Sequence, residues 1–300
     1  MSKYLIVLGG PTAVGKTSLA IKIAKHFNTD ILSCDSRQFY KEMTLGTAVP
    51  SVEEQSLVKH HFIHNISIKN AYSVGNFEKD ALTKIESIHK EKKLAFMVGG
   101  SGLYINAVCN GFDDFPKVPK EIRDELNLRI QKEGIQALAE ELLKIDPDYY
   151  KVVDKANPHR IIRALEVSIA SGSPFSSFQK KEKKKRKFKT LKIILNRDRK
   201  ELHQRINQRV DEMIKDGLLD EAMKIMEFKH YNALQTVGYK ELFAYLNGKW
   251  DFTTAVEEIK KNTRRYAKRQ LTWFRKDPNN HFFHPSKEDE IIQFIEQHIK

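Results

Sequence analysis

Eight residues near the start of the chain, Gly10-Pro11-Thr12-Ala13-Val14-Gly15-Lys16-Thr17, fit the pattern G-x-x-x-x-G-K-[ST], whose chemistry is the grip of phosphate oxygens. The glycines admit backbone angles that turn successive N–H groups to one side, and the start of a following helix adds partial positive charge. Lys16 contributes a full charge, and the Thr17 hydroxyl is suited to ligate a magnesium ion. The pattern carries this meaning only between a strand and a helix, which is the setting that Tyr4 to Leu8 before it and Lys16 to His26 after it predict.

A phosphoryl-transferring ATPase needs a second acid, an aspartate ending a later apolar strand, to hold magnesium. Here Leu94 to Val98 runs into Gly99-Gly100-Ser101-Gly102, with no carboxylate. The acid lies elsewhere, at Asp35, where an apolar run from Asp30 to Cys34 ends. Ligands of open α/β sheets bind outside the carboxyl ends of the strands, so Asp35 is placed to meet whatever the loop holds. Asp35 is read as a catalytic group, with a helix cap as the alternative.

Apolar runs separated by helical patterns make the first hundred residues an α/β unit with a parallel sheet covered on both faces. From 113 to 189 the strand pattern stops. Glu121 to Glu133 and Ile135 to Ile145 carry apolar residues at helical spacing, and a further helix has Asn157 to cap it, Pro158 at its first position and Gly172 after its last repeat. Leu191 to Leu195 reads as a strand returning to the sheet, and everything from Arg199 onward as helical. The expected organisation is therefore a core of residues 1–112 and 190–300 interrupted by a helical insertion at 113–189. Lys180 to Lys189 holds eight basic residues and one acid, a composition that predicts a mobile, solvated loop.

Fifty-two basic residues against 39 acidic ones give a formal charge of +13, and 40% apolar residues supply a sizeable core. A positive field of this size draws polyanions. Cys34 and Cys109 have no spacing that suggests a disulfide framework or a zinc site and read as small buried hydrophobes. No run is long enough for a membrane span or a signal peptide. The expectation is a reduced, cytoplasmic setting, a monomer and no membrane partner.

Between Lys260 and Lys276 stand eight basic residues and no acid, interleaved with Tyr266, Trp273 and Phe274. On a helix, Lys261, Arg265, Lys268 and Arg275 fall on one stripe that can follow a phosphate backbone, because charge of a single sign has no internal pairing to occupy it. Arg205 and Arg209 also share a helical face, where they can pair with neighbouring acids. Arg160 and Arg163 sit one turn apart, and a structural pair between Arg163 and Glu166 is an alternative to nucleic-acid contact.

Asp35-Ser36-Arg37-Gln38-Phe39-Tyr40, taken with the phosphate loop, resembles the tRNA dimethylallyltransferase family. The similarity continues in order through Gly46-Thr47-Ala48, Val98 to Tyr104, Pro158 to Glu166, Gln235 to Glu241 and Arg264 to Phe274. Ser101 stands where many members have threonine, and the basic run at 180–189 is peculiar to this chain. The resemblance implies a P-loop NTPase-like parallel sheet flanked by helices, with a helical insertion and a helical C-terminal region. It implies transfer of a dimethylallyl group from dimethylallyl diphosphate to the exocyclic amine of the adenine 3′ to a tRNA anticodon, with Mg2+ as the companion ion. By the same resemblance Asp35 is the general base, and Thr12, Lys16, Thr17 and Arg209 hold the diphosphate. Ser101 then contacts the flipped adenine or its ribose, Gln38 contacts the base edge, and the inserted helices close over the anticodon loop. The tRNA-facing set it implies is Asp35, Ser36, Arg37, Gln38, Ser101, Arg123, His159, Arg160, Ile161, Ile162, Arg163, Gly238, Tyr239, Lys240, Arg264, Arg265, Lys268 and Arg269. A small-molecule kinase, a prenyltransferase of free adenine nucleotides and a non-catalytic RNA-binding protein are the competing readings; the first leaves the basic C-terminal helix idle.

Overall fold

The computed structural model describes residues 2–180 and 182–299. The chain divides into two compact units, Met1–Asn110 with Lys185–Lys300, and Gly111–Lys184. The first half of the larger unit runs β1 (Tyr4–Gly9), α1 (Lys16–His26), β2 (Ile31–Ser33), α2 (Val52–Leu57), β3 (His60–His61), α3 (Val74–Glu91), β4 (Leu94–Gly99) and α4 (Gly102–Asn110). The smaller unit contains α5 (Lys120–Ile145), α6 (Pro147–Val152) and α7 (Pro158–Ser171). The chain then returns through β5 (Lys189–Leu195), α8 (Arg199–Lys215), α9 (Leu218–Lys224), α10 (Tyr239–Leu246), α11 (Phe252–Phe274), β6 (Asn280–Phe283) and α12 (Glu288–His298).

Among the described residues six strands form one sheet in the order β3-β2-β4-β1-β5-β6, and every pairing is parallel. Strands buried on both faces need apolar residues at every position, which is why β1 reads YLIVLG without alternation. Its side chains still alternate between faces. Tyr4, Ile6 and Leu8 pack with α1, α8 and α12, while Leu5 and Val7 pack with α3 and α4. β6 corrects the expectation that everything after Arg199 is helical: its four residues lie at the sheet edge, half-exposed, and carry no apolar run. β3, two histidines long, left no pattern either.

The helical unit has its own core, in which Leu126, Leu138, Leu142, Ile161, Leu165 and Phe175 are buried. Gly134, at φ +81°, divides α5 into two helical segments where the sequence places a break between Glu133 and Ile135. At α7 the Asn157 side chain accepts the Arg160 N–H, Pro158 opens the helix and Gly172 ends it at φ +68°. Residues Ile161 and Ile162, expected on the RNA side, are instead buried on the apolar face of α7. Glu166 is buried as well. Its carboxylate accepts two bonds from Arg123, at 2.5 and 2.7 Å, and one from Arg163 at 2.6 Å. Both arginines are thus paired with an internal acid, the structural alternative weighed for Arg163, while their side chains keep part of their surface exposed.

The basic segment before β5 is exposed and without regular structure over residues 182–185, as a solvated loop would be, but Arg186 anchors its end; Lys181 lies outside the described residues. Arg186 donates to the carbonyls of Ala107 and Val108 at the end of α4 and pairs with Glu78 at 2.5 Å. A cation at a helix C-terminus satisfies carbonyls that the helix leaves free. This anchorage moves the boundary of the helical unit from the expected 189 back to Lys184.

Candidate active site

The phosphate loop leaves β1 between two neighbours, β4 on one side and β5 on the other. It is fastened from below: Arg197, just beyond β5, donates to the Val14 carbonyl at 2.8 Å, and the side chain of Val14 is fully buried. Arg205, from α8, donates to the Ala13 carbonyl at 3.0 Å. Gly15 at φ +102° and Ala13 at φ +61° give the loop its curl. Thr12, Ala13, Gly15, Lys16 and Thr17 then line a cavity of about 750 Å³, while Gly10, Pro11 and Val14 lie beneath it. The Lys16 ammonium donates to the carbonyls of Gly10 and Pro11 at 3.0 and 2.7 Å. Burial lowers its pKa to about 8; the Asp35 carboxylate opposes that shift and Arg209 reinforces it.

Arg209, one turn of α8 beyond Arg205, donates to the Thr12 hydroxyl at 3.3 Å. Neither arginine takes up the alternative of a helical pair with an acid. Burial depresses the Arg209 guanidinium, and the charge of Asp35 acts against that depression. Three groups of alternating sign, Lys16, Asp35 and Arg209, thus share one cavity.

Asp35 follows β2 and faces that cavity. One carboxylate oxygen accepts the Arg37 N–H at 2.9 Å, which turns the chain sharply after the strand. Among the described residues no helix directly follows Asp35, so the helix-cap alternative is not realised; the bond closes a turn beside the cavity. Behind it, Ser101 is buried and its hydroxyl accepts the Ser36 N–H at 3.0 Å. Gln38 lines the cavity, yet its amide oxygen accepts from Ser33 and its amide nitrogen donates to the carbonyls of Thr47 and Ala48. Its amide holds the wall together, with both N–H donors used internally.

That wall is pinned by a residue that no sequence pattern marks. The Glu221 carboxylate accepts the N–H groups of Thr44, Leu45 and Gly46 at 2.8 to 3.0 Å and the Tyr239 hydroxyl at 2.6 Å. Tyr239 is wholly buried against Gly46, where an added Cβ would lie 2.5 Å from its ring. It is a structural residue and not an RNA contact. Its neighbours Gly238 and Lys240 do line the cavity. Glu241 caps α10 through the Gly238 N–H and receives the Asn262 amide of α11.

α11 closes the cavity with Ile259, Thr263, Tyr266, Arg269 and Gln270. Burial pushes the Tyr266 hydroxyl up to about 12, Asp35 adding to the rise while Arg37 and Arg269 oppose it. Arg265 and Lys268 on the same helix are exposed, as is the cavity-lining Arg269. Arg264 is not; it donates to Asn207 at 2.6 Å. Lys260 pairs with Asp211 and Glu257, and Lys261 with Glu258, the two glutamates standing just before the basic stretch. The basic face is therefore shorter than its sequence. In the helical unit His159 and Arg160 are exposed.

A strand, a glycine-rich loop and a helix at the carboxyl edge of a parallel sheet, with Asp35 lining the same cavity, define a P-loop-type fold whose loop is suited to phosphate oxygens. Residues 38–277 match the family model of IPP transferase, and the chain belongs to that family. It is similar to a tRNA dimethylallyltransferase of Christiangramia forsetii, 55% identical over 100% of this chain and 99% of that protein, and to one of Flavobacterium johnsoniae, 49% identical over 99% of each. Among solved structures, a tRNA isopentenylpyrophosphate transferase of Bacillus halodurans is 38% identical and superposes with a TM-score of 0.73, covering 100% of this chain and 97% of its own. A eukaryotic dimethylallyltransferase acting on tRNA is 30% identical, with a TM-score of 0.76 over 91% of this chain and 70% of its own. No described helix is long and apolar enough to cross a membrane.

Proposed function

We propose that this chain is a tRNA dimethylallyltransferase that takes its five-carbon group from dimethylallyl diphosphate and places it on the exocyclic N6 of the adenine 3′ to the anticodon. The observation that carries the reading is that Asp35 and the loop residues Thr12, Ala13, Gly15, Lys16 and Thr17 line one cavity. At about 750 Å³ it falls within the range of small-molecule sites, enough for a short allylic diphosphate and one purine turned out of its stack. The anticodon loop is single-stranded and offers such a base.

In this reading the allylic C–O bond breaks as the N6–C bond forms. The leaving diphosphate takes the electron pair, and Asp35 takes the amine proton. Negative charge grows on oxygens already faced by Lys16, Arg209, the Thr12 hydroxyl and the loop amides, so these donors favour the transition state over the bound substrate. No acid ends β4, as suits a reaction that transfers no phosphoryl group.

Among the described residues no group of three His, Cys, Asp or Glu side chains converges on a metal position. A lone Thr17 hydroxyl suits magnesium only in company with phosphate oxygens, which is how this ion usually binds. Mg2+ would then arrive with the diphosphate, held on the protein side by Thr17, and would supply further charge neutralisation. Ser36, Arg37, Gly238, Lys240 and Arg269 at the cavity, Arg265 and Lys268 beside it, and His159 and Arg160 in the helical unit are the exposed or cavity-lining groups for tRNA. A cytoplasmic monomer is the proposed working form.

The test is mass analysis of nucleosides from tRNA incubated with the purified protein and dimethylallyl diphosphate. Isopentenyladenosine should form at the expense of adenosine. Product on free AMP but not on tRNA, or phosphoryl transfer from ATP without use of the allylic donor, would overturn the assignment.

A further inference from the structure

Gln270 lies near the C-terminal end of α11 and is buried, yet it is polar at both ends of its amide and both ends are used. Its oxygen accepts the Thr12 N–H of the phosphate loop at 2.9 Å, and its nitrogen donates to the Gly100 carbonyl at 2.9 Å. Thr12 lines the cavity, and Gly100 lies in the turn that follows the neighbouring strand β4. Thr12 carries the hydroxyl that receives Arg209 and sits in the loop held by Lys16. Gly100 precedes Ser101, whose hydroxyl receives the Ser36 N–H next to Asp35. One side chain thus joins the group proposed to hold the leaving diphosphate to the group proposed to take the proton, through Thr12 on one side and Gly100-Ser101-Ser36 on the other.

We propose that Gln270 is a positioning residue that sets the distance between the diphosphate cradle and Asp35; the inference rests on the reading of Asp35 as the general base. A bond from each end of a rigid, buried amide fixes separation better than two independent contacts, because the amide cannot turn without leaving a buried donor or acceptor unsatisfied. The site is shaped for this approach. A Cβ on Gly100 would stand 2.3 Å from the Gln270 amide nitrogen, so only glycine lets the amide reach the backbone there. The adjacent turns of the helix are seated in the same way, Trp273 over Gly102 and Phe274 beside Gly9. α11 therefore cannot slide to compensate when one of these bonds is removed.

Substituting Gln270→Met keeps the length and removes both hydrogen bonds. It leaves each substrate's own contacts intact but loosens their mutual placement, and a misplacement of about 1 Å costs on the order of a hundredfold in rate. The expected result is a kcat lower by about that factor, with the inhibition constant of inorganic pyrophosphate and the affinity for tRNA close to the wild-type values. A kcat near wild type, or a loss confined to pyrophosphate affinity, would overturn the proposal. Gln270→Glu supplies a second reading, and decides the matter if the Met variant does not fold. Its ionised form keeps the acceptor for Thr12 and sets a like-charged oxygen against the Gly100 carbonyl, whereas its protonated form restores a donor and an acceptor in the amide's geometry. The ratio of its kcat to that of the wild-type enzyme should rise as pH is lowered; a ratio independent of pH would sink the inference. Asp35→Asn, measured alongside, fails separately: an active Asp35→Asn enzyme would remove the base while leaving the pH response of Gln270→Glu to be read on its own.

Discussion

Two glycine-rich turns leave neighbouring strands of the sheet, Gly10 to Gly15 after β1 and Gly99 to Gly102 after β4, with Gly9 and Gly99 in register. They use glycine for different reasons. Gly15 sits at φ +102°, and a Cβ added there would find its nearest neighbour 3.5 Å away. What it needs is a backbone angle, the one that points amides at a ligand. Gly99, Gly100 and Gly102 have no such angle, but a Cβ on them would lie 2.0 Å from the Cys34 carbonyl, 2.3 Å from Gln270 and 2.2 Å from Trp273. What they need is room. The first turn opens protein toward a small anion; the second lets protein close on protein, bringing β2 and α11 near enough to face the first.

Both turns converge on Asp35, so the largest effect should come from that residue. Asp35→Asn is expected to lower single-turnover rate by about two to four powers of ten, the usual span for a lost general base, with tRNA affinity little changed. Turnover near normal would leave the two turns converging on nothing chemical. The next step separates the turns by one substitution. Gly99→Ala drives a methyl into backbone that cannot swing aside, and should cost about 1–3 kcal/mol in denaturant unfolding. Gly15→Ala meets only ordinary van der Waals contact, but an L residue in the left-handed region is strained by about 1–2 kcal/mol and the loop flattens. Its distinguishing loss is pyrophosphate affinity, read by calorimetry. If both variants lost stability and affinity alike, the distinction between angle and room would fail.

The same contrast decides what the sequence can reveal. The first turn is a local device, in which strand, glycines, lysine and helix follow one another within 13 residues from Tyr4 to Lys16, and each leaves its mark in order. Asp35 is legible for a like reason, as the polar residue at the end of an apolar run. The second turn is visible as glycines, but its purpose is not, because Gln270 meets it across 170 residues and meets Thr12 across 258. Glu221, which holds three amides of the opposite wall, is equally remote from them. No periodicity records such pairs. Where the sequence misleads, at Tyr239, Ile161 and Ile162, residues inside a recognisable motif look like RNA contacts but are the motif's internal support. For the isoleucines the signal is present: two apolar side chains beside Ala164 and Leu165 mark the core face of α7.

Titration offers a sharper separation, since the first turn leads directly into an ionisable group, Lys16, and the second does not. Lys16 in the folded, ligand-free protein lies at about 8, below its ordinary value of 10.5. Between those two values the unfolded chain binds the proton that the folded one has released, so stability rises with pH through that window and is independent of this lysine's titration below it. Binding runs the other way. The charged form holds the diphosphate, so pyrophosphate affinity should be full below about pH 8 and fall by up to about tenfold per unit above it, with one proton taken up per anion bound. Lys16→Arg, which stays charged, should remove this proton uptake even where its fit is poorer. Calorimetry in buffers of different ionisation enthalpy measures the uptake directly; the same uptake in the arginine variant would assign it to another group.

The smallest expected effect concerns the helix that the second turn seats. If room at Gly100 and Gly102 exists to bring α11 to the site, the cations left exposed on α11 should be those that meet RNA, and those held by internal acids should not. Replacing Arg265, Lys268 and Arg269 with glutamine should reduce the slope of log affinity against log salt by about 0.7 to 0.9 for each phosphate that is no longer neutralised. Replacing Arg123 removes one partner of buried Glu166, so it should lower the stability of the helical unit while leaving that slope unchanged. Equal slopes for the triple variant and the wild-type protein would detach α11 from RNA, and the second turn would then serve the cavity alone.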